Sequence, residues 1–193
     1  MVDERTSGRR ERKRAATRQA ISDAALELFL ARGFDSVSVN EVAQKADVAT
    51  ATLFNHFPNK ESLLFDRDDT FDIRLAEAVR GRPTGMTILQ ALRERALAVW
   101  VPLARDPKLA ARRQLIAGTP ALRAYDERSW LQHSDALAAV IAAELGRPLD
   151  DLACVTLARY FLDIAILTAD REDVEGAVRI VFDMLEHGWN LEG

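Results

Sequence analysis

Residues 38–60 read SVNEVAQKADVATATLFNHFPNK. Ser38 followed three residues later by Glu41 is the capping-box pattern that opens a helix. Val39, Val42, Ala43 and Ala46 then recur at helical spacing and give that helix one apolar stripe. Ala43 is small, so a second helix is able to cross close above it. Val48 closes a turn of a few residues, and Leu53, in a second short helical pattern, is placed to meet Val42. Two short helices packed across a tight turn make a helix-turn-helix, whose second helix is shaped to enter a DNA major groove. The outward side of that second helix agrees. Ala49, Thr50, Ala51, Thr52, Asn55 and His56 are small or hydrogen-bonding, with no acid among them, which suits close approach to bases and phosphates. A two-helix corner that merely faced water would more often carry Glu and Lys there.

The surrounding residues give the motif a family resemblance. Ser38, Val39, Val42, Ala43, Ala46, Val48, Thr52, Leu53, Phe54, His56, Phe57, Lys60 and Leu63 fall in register with the signature of the TetR family of bacterial one-component regulators. The preceding AALELF at 24–29, with Gly33 and Phe34, resembles that family's first helix. The resemblance covers about the first third of the chain. Three positions depart from it: the usual turn Gly is Asp47, the usual Ser is Ala49 and the usual Tyr is Phe54. Asp tolerates a left-handed backbone better than most residues, so the turn is expected to survive. Phe54 lacks the hydroxyl that reaches a phosphate in the family. The run RQLIAGTPALR at 113–123 is also similar to a C-terminal subgroup of actinobacterial TetR-like regulators.

The resemblance implies an all-α protein, with a three-helix DNA-binding domain at 15–66 and a helical effector-binding and dimerisation domain at 67–193. It implies double-stranded DNA with a palindromic operator as one partner and a second copy of the chain as another. The DNA-contacting set is then Thr17, Arg18, Ser38, Asn40, Ala49, Thr50, Thr52, Asn55, His56 and Lys60. Thr17 and Arg18 enter that set through the resemblance alone.

Composition sets the outer limits. The chain has 193 residues, 48% of them apolar, ample for a packed core. No stretch approaches the ~20 uncharged apolar residues of a membrane span, and the N-terminus has no apolar signal segment, so a cytoplasmic protein with no membrane partner is expected. The lone cysteine, Cys154, excludes an internal disulfide and any cysteine metal cluster. Net charge is −4, which is unusual for a DNA binder, but the distribution resolves it. Residues 1–67 hold eleven Lys/Arg against ten Asp/Glu, and residues 1–18 alone hold seven against three. DNA affinity follows the local face rather than the total.

In chain order, residues 1–14 show no apolar periodicity and are expected to be a disordered basic arm, carrying Arg9, Arg10, Arg12, Lys13 and Arg14. Such an arm is either a solubilising tail or reaches phosphates and the narrow minor groove beside the site. The first helix is predicted over 15–32, with Ile21, Ala25, Leu28 and Phe29 buried and Gly33 as its C-terminal cap. Asn59 is predicted to cap a fourth helix that places Lys60 in its first turn and continues through Leu63, Phe71 and Val79 to Arg80. A cation there suits an expected phosphate. Breakers at 81–85, 106–107, 118–120 and 146–148 separate further helices, one running from about residue 87 and a long one over about 121–145. No strand-like alternation occurs.

The last two segments stand apart. LACVTLARYFLDIAILT at 152–168 is apolar nearly all round, and a helix from about Val174 carries apolar residues on two sides. Surplus apolar surface on adjacent helices points to an isologous dimer built as a four-helix bundle. The expected interface residues are Phe161, Ile164, Val178, Val181, Phe182 and Leu185. For a small hydrophobic or amphipathic effector, an acyl-CoA among the possibilities, the sequence offers Trp100, Trp130, His133, Tyr160 and Asp163, though plain core packing is the simpler explanation of each. Asp163 is the sharpest, because a carboxylate in an apolar helix needs Arg, His or a ligand beside it.

The leading reading is therefore a repressor released from its operator by a small molecule. The alternative is an effector-independent architectural or division-linked DNA-binding protein of the same fold. Nothing supports an enzyme: His56, His133 and His187 sit in separate contexts, and no nucleophile elbow, phosphate loop, dinucleotide fingerprint or metal spacing occurs. Catalytic residues, metal ligands and cofactors are accordingly not expected.

Overall fold

The computed structural model describes residues 4–65 and 70–188 and is helical throughout, with no strand among the described residues. The helices are α1 (Glu4–Arg32), α2 (Val39–Lys45), α3 (Thr50–His56), α4 (Thr70–Arg80), α5 (Ile88–Ala104), α6 (Pro107–Gly118), α7 (Pro120–Leu145), α8 (Leu152–Thr168) and α9 (Val174–His187), with a 310 turn at Glu61–Leu64. Among the described residues no helix is long and apolar enough to cross a membrane.

The chain forms two compact units. The first holds residues 1–66 and 111–126, and the second holds 67–110 and 127–193. Residues 111–126, inside the expected second domain at 67–193, need a correction, because they group with the first unit. Leu122 is fully buried in the first unit's core, and Leu115, Ile116 and Tyr125 pack against that core. Tyr125 lies on Phe65 with ring centroids 4.9 Å apart. These apolar side chains find their cover in the first unit, so the segment belongs to it.

A second correction concerns the N-terminal arm, expected to be disordered over 1–14 and placed by the structure in α1 from Glu4 onward. Residues 9–14 are Arg, Arg, Glu, Arg, Lys and Arg, all good helix formers, and they extend a helix already nucleated by the buried turns of Ile21 and Ala25. At the other end, Gly33 takes φ +83° and donates its N–H to the Phe29 carbonyl at 2.8 Å. That is the C-terminal cap expected of it.

The fourth helix also differs from expectation. Asn59 does accept from the Ser62 N–H at 2.8 Å, but it precedes only the short 310 turn, whose N-cap is Lys60, and α4 begins only at Thr70. Residues 66–69, which the expected continuous helix crossed, lie outside the described residues.

In the second unit α4, α5, α7, α8 and α9 enclose one apolar core. Four of the six expected dimer residues belong to it. Phe161, Ile164, Val178 and Phe182 are fully buried within their own protomer, with Phe161 and Phe182 in edge-to-face contact at 6.4 Å. Val181 and Leu185 are half-buried against the same core. Phe161, Val178 and Phe182 face inward, because α9 needs its densest apolar side to cover α5 and α8, whereas Ile164, Val181 and Leu185 also line the groove between α8 and α9. What remains outside is the other apolar side: Tyr160 (46% exposed), Ile166 and Leu167 (59% each) and Ile180 (57%).

Candidate nucleic-acid interface

The reading head is assembled from backbone upward. At the start of α2 the Ser38 hydroxyl accepts from the Glu41 N–H at 3.3 Å, while the Glu41 carboxylate accepts from the Ser38 N–H at 2.8 Å. The backbone bond from Ser38 holds the Glu41 carboxyl down to about 2, helped by Arg32 at 2.7 Å. The Ser38 hydroxyl also donates to Glu41 at 2.8 Å. It is thus engaged in the cap on both sides. α2 then turns at Asp47, a non-glycine residue at φ +53°. The Asp that replaces the usual glycine adopts the left-handed backbone the turn requires. Val42, Ala43 and Leu53 close the crossing of α2 and α3 and are fully buried.

On the outer side, Ala49 is exposed as the N-cap of α3 and offers no side-chain cap. Thr50 donates its hydroxyl to the Asn40 amide oxygen at 3.0 Å, so two expected DNA contacts from different helices are joined. Thr52 is half-buried, and Asn55 is exposed on the same helix. Phe54 is 48% exposed, which puts an apolar ring among the polar readers, a group suited to a thymine methyl.

The far end of α3 is held by α1. Arg18 donates to the His56 carbonyl at 2.5 Å and lays its guanidinium over the Phe57 ring at 4.3 Å. Arg18 therefore satisfies a helix C-terminus and contributes a cation–π contact, a bracing role. Thr17 beside it is half-buried. Burial first, then the charges of Arg14 and Arg18, pushes the His56 pKa down. Its Nδ1 is buried without a hydrogen-bond partner. Lys60 is half-buried, with Nζ 4.3 Å from the Phe34 ring centre and 5.7 Å from that of Phe29. Two aromatic faces position its ammonium, a feature that spacing alone did not reveal.

Comparison with known proteins agrees with this geometry. Residues 21–66 match the family described as bacterial regulatory proteins, tetR family, and residues 86–190 match the MftR C-terminal domain. The chain belongs to the TetR family. Its relatives include the transcriptional regulator TcmR of Streptomyces glaucescens, 34% identical over 75% of this chain and 67% of that protein. The putative mycofactocin biosynthesis regulator MftR of Mycobacterium tuberculosis is 29% identical over 80% of this chain and 79% of its own. Among solved structures, FadR of Bacillus subtilis in complex with stearoyl-CoA shares the fold, with TM-score 0.59 and 21% identity over 89% of this chain and 99% of that one. TetR-family proteins are transcriptional regulators rather than enzymes, and the chain is a DNA-binding regulator of that kind.

In the second unit of this TetR-family chain, four of the five expected effector residues gather around one core. Trp100 is buried with its ring 4.6 Å from Phe161. The Trp130 indole N–H donates to the Asp163 carboxylate at 3.2 Å, so the partner of that carboxylate is an indole rather than the expected Arg, His or ligand. His133 meets Asp72 at 2.7 Å and packs its ring on Phe71 at 4.8 Å. The fifth residue, Tyr160, lies elsewhere. It lines a groove of about 570 Å³ between α8 and α9, with Leu167, Ala177, Ile180 and Met184.

Proposed function

We propose that this protein is a homodimeric repressor that holds a palindromic operator through α3 and releases it when a small hydrophobic or amphipathic molecule enters the second unit. One observation carries the DNA half of the reading. The outward side of α3 presents Thr50, Phe54 and Asn55 without an acid, and α1 and α2 brace that helix at both ends. Phosphate contacts from such a frame fix position, while α3 side chains discriminate bases. This reading has the protein work in the cytoplasm, where its DNA target lies.

Dimerisation follows from the surface left over on α8 and α9. Tyr160, Leu167, Ile180 and Met184 form an apolar groove along two antiparallel-packed helices, and the same groove on a second copy is its natural cover. A two-fold axis there requires mirror-image half-sites in the operator.

For the effector, the Trp130–Asp163 pair and His133, which meets the half-exposed Asp72, set polar groups at the border of an apolar core, the mixture that suits a small amphipathic molecule. FadR binds stearoyl-CoA in its solved complex, so acyl-CoA thioesters are the first compounds to test. The test is fluorescence anisotropy with labelled duplexes from the intergenic regions flanking the gene, repeated with each thioester. Nanomolar binding to one fragment, reversed by a ligand that also raises the protein's melting temperature, is expected. Equal weak binding to all fragments would refute the operator reading, and tight binding that no ligand relieves would favour the effector-independent alternative.

A further inference from the structure

α1 is longer than its packing needs. Its first fully buried residue is Ile21, yet the helix begins at Glu4, and residues 9–16 are exposed throughout. Those outer turns carry Arg9, Arg10, Arg12, Lys13 and Arg14 against the single acid Glu11, in a chain whose net charge is −4. A fully polar, exposed helix with such charge density repels itself and gains nothing from a core.

Its place on the domain is specific. Arg18 is bonded to the last carbonyl of α3, and Arg14, one turn further out, is close enough for its charge to act on the His56 ring. The projecting turns therefore leave the domain at the C-terminal end of the reading helix, where a groove-bound α3 meets the sugar–phosphate wall.

We propose that residues 9–14 of α1 are a second DNA-binding element, a rigid basic rod lying along the phosphates that flank each half-site. This rests on the proposed function, because it presumes α3 in the major groove. The occupant is the phosphodiester backbone and not the bases. A helix with its side chains is about 10–12 Å across, too wide for a minor groove about 6 Å wide. The rod thus adds affinity without adding sequence preference, unlike a flexible arm threaded into the minor groove.

The size of the effect follows from length. Six residues rise about 8 Å, and one strand presents a phosphate per roughly 3.4 Å of axis, so the rod meets about two phosphates per half-site. Each contact contributes about 0.9 to the slope of log K against log salt.

The test uses full-length protein, a duplex carrying one half-site with natural flanks, and two variants. The first, R9Q/R10Q/R12Q/K13Q/R14Q, keeps good helix formers, and far-UV circular dichroism checks that it does. Its salt slope should fall by about two units, so that wild type loses roughly tenfold more affinity than the variant between 50 and 200 mM salt. The preferred sequence should not change. The second, Ala15→Pro, keeps every charge but breaks the helix between rod and domain; hydroxyl-radical protection of the flanking phosphates should disappear. An unchanged slope in the glutamine variant, or an altered flanking consensus, would overturn the proposal. Full protection by Ala15→Pro would also overturn it, since the charges would then act as a loose tail. Wild type that binds no duplex would bring down the proposed function as well, whereas tight binding with an unchanged slope would sink the rod alone.

Discussion

Replacing Ile180 with Asp should split the dimer while leaving each protomer folded. Ile180 is 57% exposed on the groove side of α9. That fraction corresponds to about 100 Å² of apolar surface, and covering it is worth about 2.5 kcal/mol at 25 cal/mol per Å². Two-fold symmetry counts the residue twice. Association recovers only part of such area terms, so half of the doubled figure is the safer guide. A loss of about 2.5 kcal/mol weakens the dimer by roughly sixtyfold, before the added repulsion and desolvation of two facing carboxylates. Sedimentation velocity across a concentration series, with thermal melting alongside, measures both quantities. Val178→Asp is the contrasting substitution, because Val178 is fully buried in the protomer. A charge there should abolish folding rather than dimerisation. An Ile180→Asp protein that sediments as wild type, or a wild type monomeric at tens of micromolar, would refute the assignment of this face.

Asn40→Ala and Thr50→Ala should each weaken operator binding, and the double variant should lose less than the sum, because their hydrogen bond makes them one unit; additive losses in a double-mutant cycle would separate them. The DNA-binding unit should weaken in acid by two routes. His56, with its pKa lowered, resists protonation in the folded state, so stability falls as pH drops below the ordinary histidine value of about 6.5. Glu41, held at about 2 by its cap, contributes stability above the ordinary carboxylate range, and this is lost as pH falls from about 4.5 towards 2. Chemical denaturation at a series of pH values checks both: His56→Gln should remove the first slope, and Glu41→Gln the second. Trp130→Phe should reduce the effector's effect on DNA release without changing affinity in its absence. An unaltered effector response would remove Trp130–Asp163 from the site.

The helix-turn-helix was legible because its determinants are local. The capping box is a four-residue pattern, Asp47 is a backbone requirement at one position, and Val42, Ala43 and Leu53 interact within twelve residues of sequence. The limits of α8 were equally plain, since Asp151 caps it by accepting from the Cys154 N–H and its apolar run ends at Thr168. What periodicity leaves open is which apolar side of a helix faces which neighbour. α9 has two such sides, and only the packing of Phe182 on Phe161 decides that the first is core and the second surface. The packing of Arg18 and Lys60 was hidden for a related reason: their cations rest on aromatic faces supplied from distant sequence positions. The joining of residues 111–126 to the first unit was hidden inside long uninterrupted helical patterns, where no composition shift marks a change of unit.

Selection of binding sites from random duplex DNA, run in parallel on wild type, Thr50→Ala, Asn55→Ala and Lys60→Ala, tests the central claim most directly. Wild type should enrich a palindrome with two identical half-sites. Thr50→Ala and Asn55→Ala should each relax one position per half-site, at mirror-related places, by roughly 1–3 kcal/mol for a good pair. Lys60→Ala should keep the consensus and weaken every sequence alike. An altered consensus in Lys60→Ala, with wild-type preference retained in both α3 variants, would show that α3 is not the reader.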